Sequence, residues 1–342
     1  MTDIRVEISG VVGYLTLAQP KTLNALSADM VIALKAGLQT HESNPDVALI
    51  VIRSDSERAF CAGGDMKRLR QFALQQDSAA IASYFQHEYA LNLAIAECSK
   101  PYVALIDGVA MGGGLGVSVH GNYRIVTEHA VLAMPETRIG FFPDVGGSYF
   151  LPRLPHRSGY WLALTAAALK GFQAVSTGLA THYVPRASLP ALVQRLEQLP
   201  AFATGNTPAA LADSLKQAAT VVTDEAFDEC LQQRAVWFQD DNLDAIESRL
   251  NTAAVNNTDA QTLLTLLRGA SPYSLAITLS LFERTAGMSL SDCLKAEHAL
   301  AVEACHFPDL VEGVRAVLVD KDRQPAWLPY PDKAGTGVKA TL

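Results

Sequence analysis

The chain has 342 residues, 49% hydrophobic and 18% charged, with a formal net charge of −8. That is enough apolar material for one large core with a smaller attached region, and it excludes disordered and fibrous classes. No block of Lys or Arg offsets the acidic balance, so a surface that tracks phosphates is excluded and nucleic acid is not an expected partner.

Cys61, Cys98, Cys230, Cys293 and Cys305 are odd in number, widely spaced and without a C-x-x-C pair. They read as reduced thiols, not as a disulfide framework or a zinc site, so no metal is expected. The opening MTDIRVEISGVVGYLTL carries two acids and neither an apolar h-region nor an Arg/Ser bias, and no stretch of about 18 apolar residues follows it. A cytoplasmic enzyme that does not enter a membrane is expected.

In chain order, residues 4–17 alternate and turn at Ser9-Gly10 as a β-hairpin, and Ser27 is placed to cap a helix running to about His41. Val47–Ile52 and Tyr102–Ile106 are short β-branched apolar runs of the kind buried on both faces, and a helix from about Ser78 to Glu97 separates them. Strands at Tyr123–Val126 and Val131–Met134 precede MPETRIGFFPDVGGSYFLPRLP, whose Gly and Pro punctuation forbids a long regular element. From Ser158 onward the pattern is almost entirely helical, with breaks near Pro200, Thr207-Pro208, Ser271-Pro272 and Gly287. The expected organisation is an α/β core over residues 1–190 and a helical region over 191–342 that covers it, with a loosely held tail after Pro325.

The Walker lysine loop, His-Glu-x-x-His and Gly-x-Ser-x-Gly are all missing, and Val117 stands where a dinucleotide fingerprint needs its last glycine. What remains are glycine-bearing turns. Phe60-Cys61-Ala62-Gly63-Gly64-Asp65 leads into a helix beginning Met66-Lys67-Arg68, with Asp65 as its cap. Asp107-Gly108-Val109-Ala110-Met111-Gly112-Gly113-Gly114-Leu115-Gly116 again reads strand, glycine turn, helix, and its first-turn N–H groups lack intrahelical acceptors. Either turn alone could be a tight connection; a facing pair suits a carbonyl that becomes an enolate or a tetrahedral oxyanion.

Glu136 follows Met134-Pro135 and Asp144 follows Phe141-Phe142-Pro143, among apolar or rigid neighbours that raise a carboxyl pKa toward neutrality. The competing structural roles are a helix cap for Asp144 ahead of Gly146-Gly147-Ser148 and a salt bridge from Glu136 to Arg138 or Arg153. His120 reads as a core histidine.

These segments resemble the crotonase (enoyl-CoA hydratase/isomerase) superfamily, and within it the 3-hydroxyisobutyryl-CoA hydrolases. The resemblance runs from Leu23-Asn24-Ala25-Leu26 to Glu312-Gly313-Val314-Arg315-Ala316 and Asp320-Lys321-Asp322. It implies an α/β fold with a crotonase-type ββα spiral core and a helical C-terminal region. It further implies that Ala62, Gly63, Gly64, Asp65, Met66, Lys67, Gly112 and Gly113 line the CoA and substrate path, with Gly64 and Gly113 giving the oxyanion N–H groups.

Hydratases of this family carry one catalytic glutamate at the position of Gly116 and another at that of Glu136. The bare Gly116, together with Asp144 where hydratases place a glycine, implies a thioester hydrolase using Glu136 and Asp144. Gly178–Val184 and Ser274-Leu275 also look like hydrolase segments, whereas Ala304–Asp309 departs from their usual Arg-bearing one. The implied substrate is a short 3-hydroxyacyl-CoA, above all 3-hydroxyisobutyryl-CoA of valine breakdown, with no cofactor because CoA is part of the substrate. Relatives often form trimers or hexamers, so a homo-oligomer is among the expectations. The alternatives are an enoyl-CoA hydratase or isomerase reaction, or a non-catalytic acyl-CoA-binding or scaffold protein.

Overall fold

The structure is a computed structural model that describes residues 3–200, 205 and 207–329. By its contacts the chain forms two compact units. The first comprises Met1–Gly64, Ala90–Ala133 and Ala168–Glu229, the second Asp65–Tyr89, Met134–Ala167 and Cys230–Leu342. Residue 190, the expected boundary, falls inside the helix Leu189–Glu197 of the first unit. Of the tail after Pro325, residues 330–342 lie outside the described residues.

The first unit holds both described sheets. Its strands are β1 (Ile4–Ser9), β2 (Val12–Leu17), β3 (Leu49–Ser54), β4 (Ala59–Cys61), β5 (Tyr102–Ile106), β6 (Val109–Met111), β7 (Tyr123–Val126), β8 (Val131–Ala133), β9 (Leu169–Lys170) and β10 (His182–Tyr183). A six-stranded sheet runs β1-β2-β3-β5-β7-β10 and a four-stranded sheet runs β4-β6-β8-β9. The pairs β3/β4, β5/β6 and β7/β8 thus each give one strand to each sheet, and β3–β5–β7 and β4–β6–β8 pair in parallel. Repeating strand, strand, helix in this way is the ββα spiral expected from the resemblance.

The corners of the spiral are tight. Gly108, between β5 and β6, has φ +101°, and a Cβ there would lie 2.7 Å from the Arg58 carbonyl oxygen. A side chain at this corner would meet both strain and backbone. Along β3, Leu49 and Val51 point to one face, where they join Val103, Leu105, Ile125 and the buried leucines of the helices Leu189–Glu197 and Thr207–Ala218. Ile50 and Ile52 alternate to the other face and are equally buried.

The hairpin and the Ser27 cap stand as expected: β1 pairs antiparallel with β2, and Ser27 Oγ accepts from Met30 N at 3.3 Å. β3 sits two residues later than the expected run, because Val47 and Ala48 are buried in the approach loop without joining the ladder. The helical reading after Ser158 missed β9 and β10, two-residue strands too short to show periodicity. β4 and β6 were hidden likewise, absorbed into the glycine turns they precede.

The second unit is helical in its described residues. It contains Met66–Leu74, Ser158–Thr165, Leu243–Ala254, Thr258–Arg268, Pro272–Arg284, Leu290–His306 and Pro308–Val314. Asn242, Asn257, Ser271 and Ser289 cap their helices through side-chain oxygens, which sets where each begins. The helix Ser78–Ala96 passes from the second unit into the first at Tyr89/Ala90.

Asn24 pins the loop before the first glycine turn. It is fully buried at φ +56°, donates through Nδ2 to the Phe60 carbonyl at 2.9 Å and Ser54 Oγ at 2.7 Å, and accepts from Gln19 N at 2.8 Å. Asn24→Ala would orphan these partners and keep the left-handed backbone, so we expect a loss of roughly 2–4 kcal/mol of unfolding free energy in denaturant titration. A loss under about 0.5 kcal/mol would refute this account of the loop.

Candidate active site

In the first unit the two glycine turns abut. Gly63 has φ +107°, and a Cβ built on it would lie 3.1 Å from the Met111 carbonyl oxygen and 3.7 Å from Gly113 N. Its carbonyl accepts from Leu26 N at 2.8 Å, and Ala62 N donates to the Leu23 carbonyl at 2.9 Å, so the Leu23–Leu26 segment holds the turn as a short parallel bridge between Leu26 and Gly64. Gly112, at φ +48° and ψ −116°, turns the chain into the helix Gly113–Val119, which lies so close to β4 that a Cβ on Gly114 would be 2.4 Å from the Cys61 carbonyl oxygen. Gly113 is the first residue of that helix, so its N–H has no intrahelical acceptor. His120 sits at the helix's C-cap and is half-buried, a less interior place than expected.

Asp65, Met66 and Lys67 belong to the second unit. Asp65 Oδ1 accepts from Arg68 N at 3.0 Å and caps the helix Met66–Leu74, as its position suggests; Met66 is half-buried and Lys67 exposed.

The carboxylates cluster in the second unit. Glu136 and Asp144 are each 6% exposed, and Glu88, on the helix Ser78–Ala96, is 2% exposed. Burial is the largest influence on all three and pushes each pKa up. Asp144 rises to about 7, although the Tyr89 hydroxyl, donating to its Oδ2 at 2.7 Å, favours the ionised form. Glu136 is raised well above the ordinary carboxylate range by burial and then by the charges of Asp144 and Glu88. Glu88 is raised by burial and by Asp144. Glu136 Oε2 and Glu88 Oε1 are buried with no hydrogen-bond partner, and no Lys or Arg contributes to the shifts of the three.

Neither structural role weighed for these residues is taken. The helix Gly147–Phe150 is capped from outside by Glu297, whose carboxylate accepts from Gly146 N at 2.7 Å, Ser148 N at 2.9 Å and Ser148 Oγ at 2.5 Å. Glu297 is itself buried and raised to about 8, mainly by desolvation. With that duty filled, the Asp144 side chain bonds Tyr89. Arg153 donates to the Tyr149 and Met288 carbonyls instead of to Glu136.

The sequence reading missed Glu88, Tyr89 and Glu297, which lie in long helical stretches where a carboxylate looks like any solvated helix residue. The departing segment Ala304–Asp309 ends the helix Leu290–His306: Phe307 stacks on Tyr273 with ring centroids 3.8 Å apart, and buried Asp309 accepts from Ser271 Oγ at 2.5 Å and Leu328 N at 3.1 Å.

Backbone donors on a spiral core beside glycine turns, and proton-bearing carboxylates without cations, define an enzyme that handles an activated acyl group. The chain belongs to the enoyl-CoA hydratase/isomerase family, whose model matches residues 12–334. It is similar to "3-hydroxyisobutyryl-CoA hydrolase, mitochondrial" of Gallus gallus, 40% identical over 96% of this chain and 84% of the relative. The Homo sapiens protein of the same name is 38% identical with the same coverage. Among solved structures it resembles an enoyl-CoA hydratase from Rhodobacter sphaeroides (TM-score 0.85, 34% identity, 95% of this chain and 92% of that one). It equally resembles a carnitinyl-CoA dehydratase from Mycobacterium thermoresistibile (TM-score 0.85, 34%, 95% and 91%). These neighbours share the crotonase-type fold with its helical C-terminal region.

The cytoplasmic expectation is corrected: the relatives at 37–40% identity are named mitochondrial. It rested on the composition of the first residues and on reduced thiols. The five cysteines are indeed free, but free thiols do not choose between these compartments.

The raised Asp144 pKa has a thermodynamic consequence. Its ordinary value is 3.8 and its folded value about 7, so between them the folded protein holds a proton that the unfolded chain has lost. Stability therefore falls as pH rises through that window; the cost is absent below the lower value and complete above the upper one. Asp144→Asn removes the cost and keeps an acceptor for Tyr89. We expect the variant to be more stable than the wild type by roughly 1–3 kcal/mol near pH 8, the gap narrowing toward pH 5, in denaturant titrations at both values. An equal difference at both would refute the burial account.

Proposed function

We propose that the chain hydrolyses 3-hydroxyisobutyryl-CoA to 3-hydroxyisobutyrate and CoA, a step of valine breakdown. The observation that carries this reading is the presence of two buried carboxyl groups, Glu136 and Asp144, both with pKa values raised by burial and with no cation contributing, in a chain whose Gly116 lacks a side chain for hydration chemistry. The names of the relatives support the same reaction.

The Gly64 and Gly113 N–H groups receive the thioester oxygen and stabilise the oxyanion formed on attack. Ala62, Gly63, Gly112, Asp65, Met66 and Lys67 flank the CoA path. Of the pair, Asp144 is easier to ionise because Tyr89 donates to it, whereas Glu136 Oε2 has no donor. The free protein therefore carries the negative charge on Asp144 and the proton on Glu136.

With substrate bound, that proton passes from Glu136 to Asp144. Water then attacks the carbonyl carbon, giving one proton to Glu136 as its hydroxyl forms the new C–O bond. Collapse of the oxyanion breaks the C–S bond, and Asp144 protonates the departing thiolate. The pair ends as it began, with the proton on Glu136. Direct attack by Glu136 on the carbonyl, followed by hydrolysis of the anhydride, uses the same pair. Neither route calls for a metal or a redox cofactor.

The test is thiol release from a panel of short acyl-CoA esters. We expect 3-hydroxyisobutyryl-CoA to be the best substrate, kcat/KM to fall below an apparent pKa near 7 where Asp144 takes up a second proton for the pair, and Glu136→Gln or Asp144→Asn to lower kcat by about 1,000-fold. Conversion of crotonyl-CoA without thiol release would favour the hydratase or isomerase reading. Absent turnover in the wild type would favour a binding or scaffold role.

A further inference from the structure

The turn after Asp144 is held in an unusual way, by groups that all lie in the second unit. Val145 has φ +52° and Gly146 φ +84°. Left-handed backbone is ordinary for glycine, but a β-branched residue adopts it only where its surroundings over-determine it. Here the Gly147 N–H donates to the Asp144 carbonyl at 2.7 Å, and the Glu297 carboxylate accepts from Gly146 N, Ser148 N and Ser148 Oγ. Glu297 is a costly group for that duty. It is fully buried, no cation contributes to its shift, and it comes from the helix Leu290–His306, 151 residues after Gly146.

A nearer group could hold the same turn. Aspartate readily bonds the backbone N–H two residues on, and Gly146 stands two residues after Asp144. Glu297 already takes that N–H, and Asp144 Oδ2 accepts from the Tyr89 hydroxyl at 2.7 Å instead. The acid beside the turn is relieved of the task, and a distant one performs it.

We propose that Glu297 is a positioning residue whose grip on Gly146 and Ser148 keeps the Asp144 side chain from turning back to cap its own turn. The inference rests on the hydrolase reading and deepens it: a carboxyl occupied by several backbone donors holds its charge too firmly to deliver protons near neutrality. Around Asp144 the titratable groups are Tyr84, Glu88 and Tyr89 on the helix Ser78–Ala96, Glu136, and Glu297 and Cys305 on the helix Leu290–His306. Cys293 feels the charges of Glu297 and Arg153, and His298 lies edge-on to the Tyr89 ring. No Lys or Arg contributes to the shift of Asp144, so added backbone donors are the means by which its pKa would fall.

The experiment follows thiol release from 3-hydroxyisobutyryl-CoA against pH in the wild type, Glu297→Leu and Glu297→Gln. Leucine frees the turn's donors for Asp144. We expect kcat to fall by about 100-fold with KM within about 3-fold, and the acidic limb of kcat/KM to move down by about 1–2 pH units. Glutamine removes the charge but keeps an acceptor for the turn, so its limb should lie closer to the wild type than to Glu297→Leu. A lower rate with an unmoved limb would mean that Glu297 only supports the fold, and a limb moved equally by both variants would mean that its charge acts instead; either overturns the inference. If Glu297→Leu does not fold, Glu297→Met is read by the same limb. A wild type that releases no thiol would overturn the hydrolase reading beneath it. The role of Glu297 would then be read in stability: the extra gain of Asp144→Asn near pH 8 over pH 5 should vanish in the Glu297→Leu background, and its persistence would overturn that role alone.

Discussion

Burial of carboxyl groups without cations is the constraint on which the second unit turns. Glu88, Glu136, Asp144 and Glu297 are all at most 6% exposed, and each has its pKa raised chiefly by desolvation. An ionised carboxylate in such surroundings costs several kcal/mol unless it is paired, so the protein holds most of them protonated. The groups differ in their donors and in the charges around them. Asp144, with the Tyr89 hydroxyl, ionises near neutrality; Glu297, with three donors around the Gly146–Ser148 turn, needs a somewhat higher pH; Glu136 and Glu88, each with an orphaned oxygen, resist longest. Burial, hydrogen-bond donors and the charges of neighbouring carboxylates together set these chemically similar groups apart.

In the proposed reaction the glycine turns answer a different requirement. An oxyanion needs fixed donors that do not reorganise during reaction, and backbone N–H groups supply this only where the chain is held from behind. Asn24 does so for the first turn by binding Phe60, Ser54 and Gln19, and the close packing of Gly114 on Cys61 does so for the second. Chain connectivity links these turns to the carboxylates. Of the five places where the chain passes between the units, three are Gly64/Asp65, Tyr89/Ala90 and Ala133/Met134. Each of these crossings lies within three residues of a candidate group: Gly64 itself, Tyr89 with Glu88, and Glu136. Two of these crossings follow short strands, β4 before Gly64 and β8 before Glu136, whereas the third lies inside the helix Ser78–Ala96 that carries Glu88 and Tyr89.

Much of this is legible in the sequence, for physical reasons that differ by element. The long strands β2, β3 and β5 show as apolar runs, and the Ser27 and Asp65 caps show because capping chemistry is local. The glycine turns show because few residues tolerate φ +101° at Gly108 or +107° at Gly63. Strands of two or three residues do not show, since periodicity needs length. Asp144 was ambiguous for a sharper reason: a carboxylate just ahead of Gly-Gly-Ser is a good helix cap, and only Glu297, 151 residues away from Gly146, reveals that the cap is supplied elsewhere. Glu88 and Tyr89 are invisible for the same cause, their meaning residing in Asp144 on a separate stretch of chain.

The solved neighbours and the relatives carry different activities in their names, and fold does not decide between them. A hydratase must add water across a carbon–carbon double bond and leave the C–S bond intact, whereas a hydrolase must protonate a thiolate as that bond breaks. The first task calls for two carboxylates directed at the acyl carbons, one of which the resemblance places at Gly116, where this chain has no side chain. The second calls for an acid that reloads after each turnover. In the proposed mechanism Asp144 fills this part, its pKa raised to about 7 suiting it to take a proton from Glu136 and release it to sulfur. By the same mechanism, a glycine at position 144 would leave Glu136 without a proton partner and the departing thiolate without an acid. Within that proposal Asp144 is thus the residue that distinguishes cleavage at sulfur from hydration, since it supplies the acid that the thiolate needs.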